Sequence, residues 1–160
     1  MSIEDFQKAA RTKDIELAMS ALADDAVLRS PLTDQFTFNG KDDIRQLFET
    51  AYEKFEGLDY HTVIGDRVLV GGATVNGQRF EETLLLTLDD DGKIAEITLF
   101  IRPLTGLTAV MAALGPALAR KNGRRTAGLL KVMTAPLVAA TRSGDRVGLR
   151  LALPKRRVSA

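Results

Sequence analysis

Few residues in this chain have the chemistry to work in a site. The most conspicuous are Asp89, Asp90 and Asp91, three acids in a row inside "LTLDDDGKIAEITLF". Adjacent aspartates point in different directions. A calcium loop instead needs acids at every second position and a distant Glu. Flanked by alternating apolar runs and followed by Gly92, the cluster reads as a turn. Glu82 is different. Strand alternation sets Phe80, Glu82, Leu84, Leu86 and Leu88 on one face and Glu81, Thr83, Leu85 and Thr87 on the other. A carboxyl among leucines has a raised pKa and can act as acid or base; the plainer reading pairs it near a rim with Arg79 or Arg67. Tyr60 and His61 are neighbours, so only one can face inward. The register Leu58-Tyr60-Thr62-Ile64 favours Tyr60 in and His61 out. Tyr52 lies on an apolar helical stripe, as core or as pocket wall. Gly71-Gly72 in mid-strand implies a bulge or a close backbone approach; no phosphate-loop pattern accompanies it.

The composition narrows the chemistry further. There is no cysteine, hence no disulfide or thiolate chemistry, and a single histidine rules out a His-rich zinc site within one chain. No metal or cofactor is implied. No apolar run approaches the roughly 18 residues of a membrane span. Glu4, Asp5 and Lys8 interrupt any leader at the start, so a cytoplasmic protein is expected. The charge is unevenly divided. Residues 1–103 carry 11 Lys/Arg against 20 Asp/Glu, a net of −9, whereas residues 104–160 carry 11 against one, a net of +10.

The elements that must position these groups follow from periodicity. Helices are expected over 3–13 and 14–23, the second capped by Asp14. A strand in "DDAVLRSPL" ends at Pro31, and a short strand "FTFNG" closes at Asn39-Gly40. In "KDDIRQLFETAYEKF" a stripe of Ile44, Leu47, Phe48, Ala51, Tyr52 and Phe55 marks the clearest helix. A meander follows, with turns at Gly65-Asp66, Asn76-Gly77 and the Asp cluster, ending at Pro103. Beyond it, "LTGLTAVMAALGPALARK" sets Leu107, Val110, Met111, Leu114 and Leu118 on one face, with a kink expected at Gly115-Pro116. A second apolar helix spans "TAGLLKVMTAPLVAATR", and a turn, a short strand and a basic end complete the chain. The fold class is α+β: a cone-shaped, curved antiparallel sheet wrapped around helices, with a C-terminal helical extension. Residues 1–103 form the cone domain and 104–160 the basic, Ala/Leu-rich extension, packed on the body or a partner.

The segments "LADDAVLRSPL", "FNGKDDIRQLFE", "GDRVLVGGATVNG" and "LTLDDDGKIAEITLF", in this order, resemble the nuclear-transport-factor-2-like superfamily, in its SnoaL-like and ketosteroid-isomerase-like branch. The resemblance implies a pocket at the open end of the cone. It places the isomerase general base at Ser30, the oxyanion donors at Phe6 and Leu84, and a supporting aromatic at Phe48. The His and Asp of SnoaL-like cyclases fall on Ile97 and Leu99. A serine without a neighbouring base cannot abstract a proton at neutral pH. The expectation is therefore a small-molecule-binding domain with a mainly apolar pocket, lined by Phe6, Leu28, Phe48, Tyr52, Leu84, Leu86, Ile97, Leu99 and Ile101. The alternative is an isomerase, cyclase, dehydratase or hydrolase of this fold working through Glu82, His61, Tyr60 or Ser30. The scytalone-dehydratase type, which uses His and Tyr, keeps His61 in that set. A third reading is a module that docks on a membrane or protein through its basic tail. The expected partners are a hydrophobic small molecule and a second copy of the chain, through an outer face with Thr98, Phe100 and Arg102. Nucleic acid is not expected, because residues 104–160 hold no aromatic to stack on bases.

Overall fold

The computed structural model describes residues 3–120 and 123–148. Its order is α1 (Ile3–Thr12), α2 (Ile15–Ser20), β1 (Leu22–Arg29), β2 (Thr37–Asn39), α3 (Gly40–Lys54), β3 (Glu56–Ile64), β4 (Val68–Val75), β5 (Gln78–Leu88), β6 (Ile94–Arg102), α4 (Leu104–Ala119) and α5 (Arg124–Ser143), with a π-helical turn at Gly144–Gly148. The end of the chain, where a short strand and the last basic residues were expected, lies outside the described residues.

The local chemistry explains the boundaries. Asp14 caps α2 by accepting from the Leu17 amide at 3.0 Å. Asn76 and Gly77 both adopt positive φ, 49° and 72°, the backbone of a tight hairpin between β4 and β5. Asp89 folds the β5–β6 connection on itself: its Oδ1 accepts from the amides of Asp91 at 3.0 Å and Lys93 at 2.8 Å. The acidic cluster is thus a turn whose first carboxylate is occupied by its own backbone.

The six strands form one sheet in the order β2-β1-β6-β5-β4-β3. The expected all-antiparallel sheet needs one amendment, since β1 and β6 run parallel. That pairing requires a long crossover, and α3 with the β3–β5 meander supplies it. Register shifts in the β1–β6, β3–β4 and β5–β6 pairings curve the sheet. The concave side holds the core, with Leu22, Leu28, Ile44, Leu69, Val75, Phe80, Leu86 and Ile97 fully buried. Helix α4 packs on α3, β4, β5 and β6, and α5 packs on α4. Gly106 makes the first contact close: a Cβ there would lie 2.6 Å from Cβ of Phe80. No helix among the described residues is long and apolar enough to cross a membrane.

Candidate functional site

Between the sheet and the helices lies a cavity of about 170 Å³. Its wall is mainly aromatic and aliphatic, supplied by α1, α3, β1, β2, β3, β5, β6, the β1–β2 connection and α4. Of the expected wall residues, Phe6, Leu28, Phe48, Tyr52, Leu84, Ile97, Leu99 and Ile101 all face it. Leu86 does not. It is 1 % exposed and enclosed by the core, and on β5 the wall ends at Leu84. Helix α4 also contributes, through Val110, Met111, Leu114, Gly115 and Leu118, which are not among the expected wall residues. The signal was present in the helical stripe Val110, Met111, Leu114 and Leu118.

One polar pair is set in this wall. Glu82 is 4 % exposed and Tyr60 6 %. The Tyr60 hydroxyl donates to Glu82 Oε1 at 2.6 Å. The two residues are on β3 and β5, with β4 between them. What lets them meet is Gly71, the register partner of Glu82. A Cβ on Gly71 would lie 2.7 Å from both Cα and Cδ1 of Tyr60, and would collide with the Asp59 carbonyl oxygen. The missing side chain is the lane along which the Tyr60 ring crosses β4. The β3 register shifts between Asp59 and Thr62, around Tyr60. Gln7 Nε2 donates to the Tyr60 carbonyl, and Arg11 pairs with Asp59 at 3.0 Å, so α1 holds this stretch of β3 in place.

Electrostatics follow from burial. Desolvation pushes the Glu82 carboxyl up to about 7, with the Tyr60 hydrogen bond working in the opposite direction. Burial, followed by the nearby Glu82, raises the phenol of Tyr60 well above its usual range and also raises that of Tyr52. Neither tyrosine ionises near neutrality, and the Tyr60 hydroxyl is the donor to Glu82. The rings of Phe6 and Phe48 (5.9 Å), Phe6 and Tyr60 (6.5 Å), and Phe48 and Tyr52 (6.2 Å) form a continuous aromatic wall.

The remaining candidates separate from this pair. His61 is exposed on the opposite face of β3, with Nδ1 2.9 Å from Thr62 Oγ1, and is absent from the cavity wall. Period-2 alternation cannot turn both Tyr60 and His61 inward, and it is Tyr60 that reaches the cavity. Ser30 borders the cavity, but its Oγ accepts from the Leu32 amide at 3.1 Å and serves the turn. Glu82 pairs with neither Arg79 nor Arg67. On the outer face of the sheet Leu85 and Phe100 are exposed, and Arg102 bonds Glu81 at 3.1 Å. Among the described residues no cluster of His, Cys, Asp and Glu has the grouping of a metal site.

The geometry can be set beside known proteins. No curated protein matches the chain. Among solved structures it is similar to a steroid delta-isomerase from Pseudomonas aeruginosa, at 25% identity and TM-score 0.65, over 75% of this chain and 90% of that one. It is also similar to an uncharacterized protein with a cystatin-like fold from Silicibacter pomeroyi, at 22% identity and TM-score 0.68, over 78% and 92%. A putative SnoaL-like polyketide cyclase from Shewanella denitrificans shares the fold at 14% identity and TM-score 0.50, over 62% and 86%. The pattern of the SnoaL-like domain matches residues 3–97, more than half of the sequence. The chain belongs to the SnoaL-like domain family.

Proposed function

We propose that this domain binds a compact hydrophobic small molecule in its cavity, oriented by one polar anchor, the Glu82–Tyr60 pair. The observation that carries the reading is an apolar enclosure broken by a single buried, hydrogen-bonded carboxyl. Pockets of this make, apolar with a few convergent polar groups, are the usual form of small-molecule sites. The positions that the resemblance gives to the isomerase base and oxyanion donors hold Ser30, Phe6 and Leu84, which supports binding over isomerase chemistry. The volume, about 170 Å³, suits a single-ring molecule; an apolar cavity of roughly 150 Å³ takes up benzene. Toluene and benzyl alcohol should raise the melting temperature, as ligands of the folded state do. No shift with either, at concentrations near saturation, would sink the reading.

A second reading is favoured by one observation. A carboxyl raised to about 7 is poised as a general acid or base at neutral pH. The same shift predicts a pH signature. Folding raises the Glu82 pKa from its ordinary 4.5, so its contribution to stability is full below 4.5 and is lost as pH rises through 7. The buried anion should then cost up to about 3 kcal/mol. Glu82→Gln should gain on the parent by this order between pH 5 and pH 8, measured by denaturant unfolding. A difference that is flat with pH would show that the carboxyl titrates normally.

A further inference from the structure

We propose that the cavity selects a compact hydrophobic ammonium ion, held on the free oxygen of Glu82. This rests on the binding reading above and names its ligand class. Four wall residues bring polar side-chain groups to the cavity: Glu82, Tyr60, Tyr52 and Ser30. None of the lining residues is Lys, Arg or His. The Tyr60 hydroxyl is spent on Glu82 Oε1. Glu82 Oε2 has no hydrogen-bond partner among the described residues, yet no buried side-chain oxygen is sealed off without one. Oε2 therefore opens on the cavity as an unused acceptor.

The choice among ligand charges follows. A carboxylate ligand would set a second anion beside Glu82 in a low-dielectric enclosure with no cation to offset it, which is strongly unfavourable. A neutral ligand gains apolar burial and one hydrogen bond. An ammonium ion gains both and supplies the countercharge that the carboxyl lacks; a buried charge is tolerable only when paired and hydrogen-bonded. The faces of Phe6 and Phe48, which continue to Tyr60 and Tyr52, receive the rest of the cation's field.

The preference must depend on pH, because the ammonium pairs with ionised Glu82. The titratable groups that face this carboxyl are Tyr60 from β3 and Tyr52 from α3. The surrounding elements contribute Gly71 from β4, Ile101 from β6, Phe6 from α1 and Val110 and Met111 from α4, none of which titrates. The tyrosines stay neutral, so the pH profile reports Glu82.

The test is calorimetric titration of the full chain with benzylamine, benzyl alcohol and benzoate, which share a ring and differ in head group. At pH 8 benzylamine should bind about tenfold more tightly than benzyl alcohol, the equivalent of one hydrogen bond to a charged group, and benzoate should not bind. The amine's advantage should shrink toward pH 6, and in Glu82→Gln it should vanish. Benzoate binding as tightly as benzylamine, or an amine advantage that survives in Glu82→Gln, overturns the proposal. So does equal binding of alcohol and amine at every pH, which leaves the pocket reading standing. Failure of all three compounds ends both.

Discussion

Helices α4 and α5 are built from the same apolar vocabulary, each with a proline inside, and they end in opposite environments. Helix α4 has no charged residue between Leu104 and Ala119. It buries Thr105, Gly106, Thr108, Ala109, Val110 and Ala119, and its next face closes the cavity. Helix α5 carries Arg124, Arg125, Lys131 and Arg142 and buries only Ala127, while Leu129, Val132 and Met133 are 61 to 71 % exposed. The sequence leads one to expect both apolar faces to be covered, by the body or by a partner. The structure covers the first; α5 rides on α4 and turns a second apolar stripe outward. The difference teaches that periodicity counts the apolar faces of a helix without saying which has a partner. Small residues decided the matter here: Gly106 lets α4 sit directly on Phe80, and α5 has no comparable contact with the sheet.

This contrast can be broken or sharpened by paired substitutions. The largest effect should come from a charge. Val110→Asp buries an unpaired carboxylate beneath α4 and should cost roughly 3–5 kcal/mol in denaturant unfolding. Val132→Asp on α5 should stay within about 0.5 kcal/mol. Equal costs would mean that α5 is covered after all. Glycine gives the next pair. Gly106→Ala forces a methyl against Phe80 and should cost about 1–3 kcal/mol. Gly128→Ala meets open space and should stabilise by about 0.5–1 kcal/mol through helix propensity. Both changes acting in the same direction would refute the packing account. The smallest effect concerns the bond that ties the helices together, Thr108 Oγ1 to Thr141 Oγ1 at 3.0 Å. Thr108 keeps its bond to the Thr105 carbonyl at 3.2 Å, so Thr141→Val should cost less than about 1 kcal/mol. A loss exceeding that of Gly106→Ala would make α5 the more integral helix.

Much of the fold was legible because its signals are local. Asn76-Gly77 fixes a hairpin, Asp89 bonds its own turn, and alternation on β5 put Glu82 on the face of Leu84. Alternation also separated Tyr60 from His61. The Tyr60–Glu82 contact was not legible, because it joins residues two strands apart and depends on the register shift in β3. Its trace was Gly71-Gly72, which read as a close approach without saying what approached. The individual α4 wall residues were not legible for another reason. The resemblance ended near Pro103, and the Val110, Met111, Leu114 and Leu118 stripe was assigned to docking in general rather than to the cavity.

The placement of the aromatic residues has a consequence for observation. The chain has two tyrosines and no tryptophan, and both tyrosines line the cavity. The tyrosine band, to the red of phenylalanine absorption, and the tyrosine emission therefore originate at the site, with no tryptophan to mask them. Any occupant that disturbs the Tyr60–Glu82 hydrogen bond writes directly on that spectrum. The molecule carries its own optical gauge of what fills it, and a titration can be followed without a label.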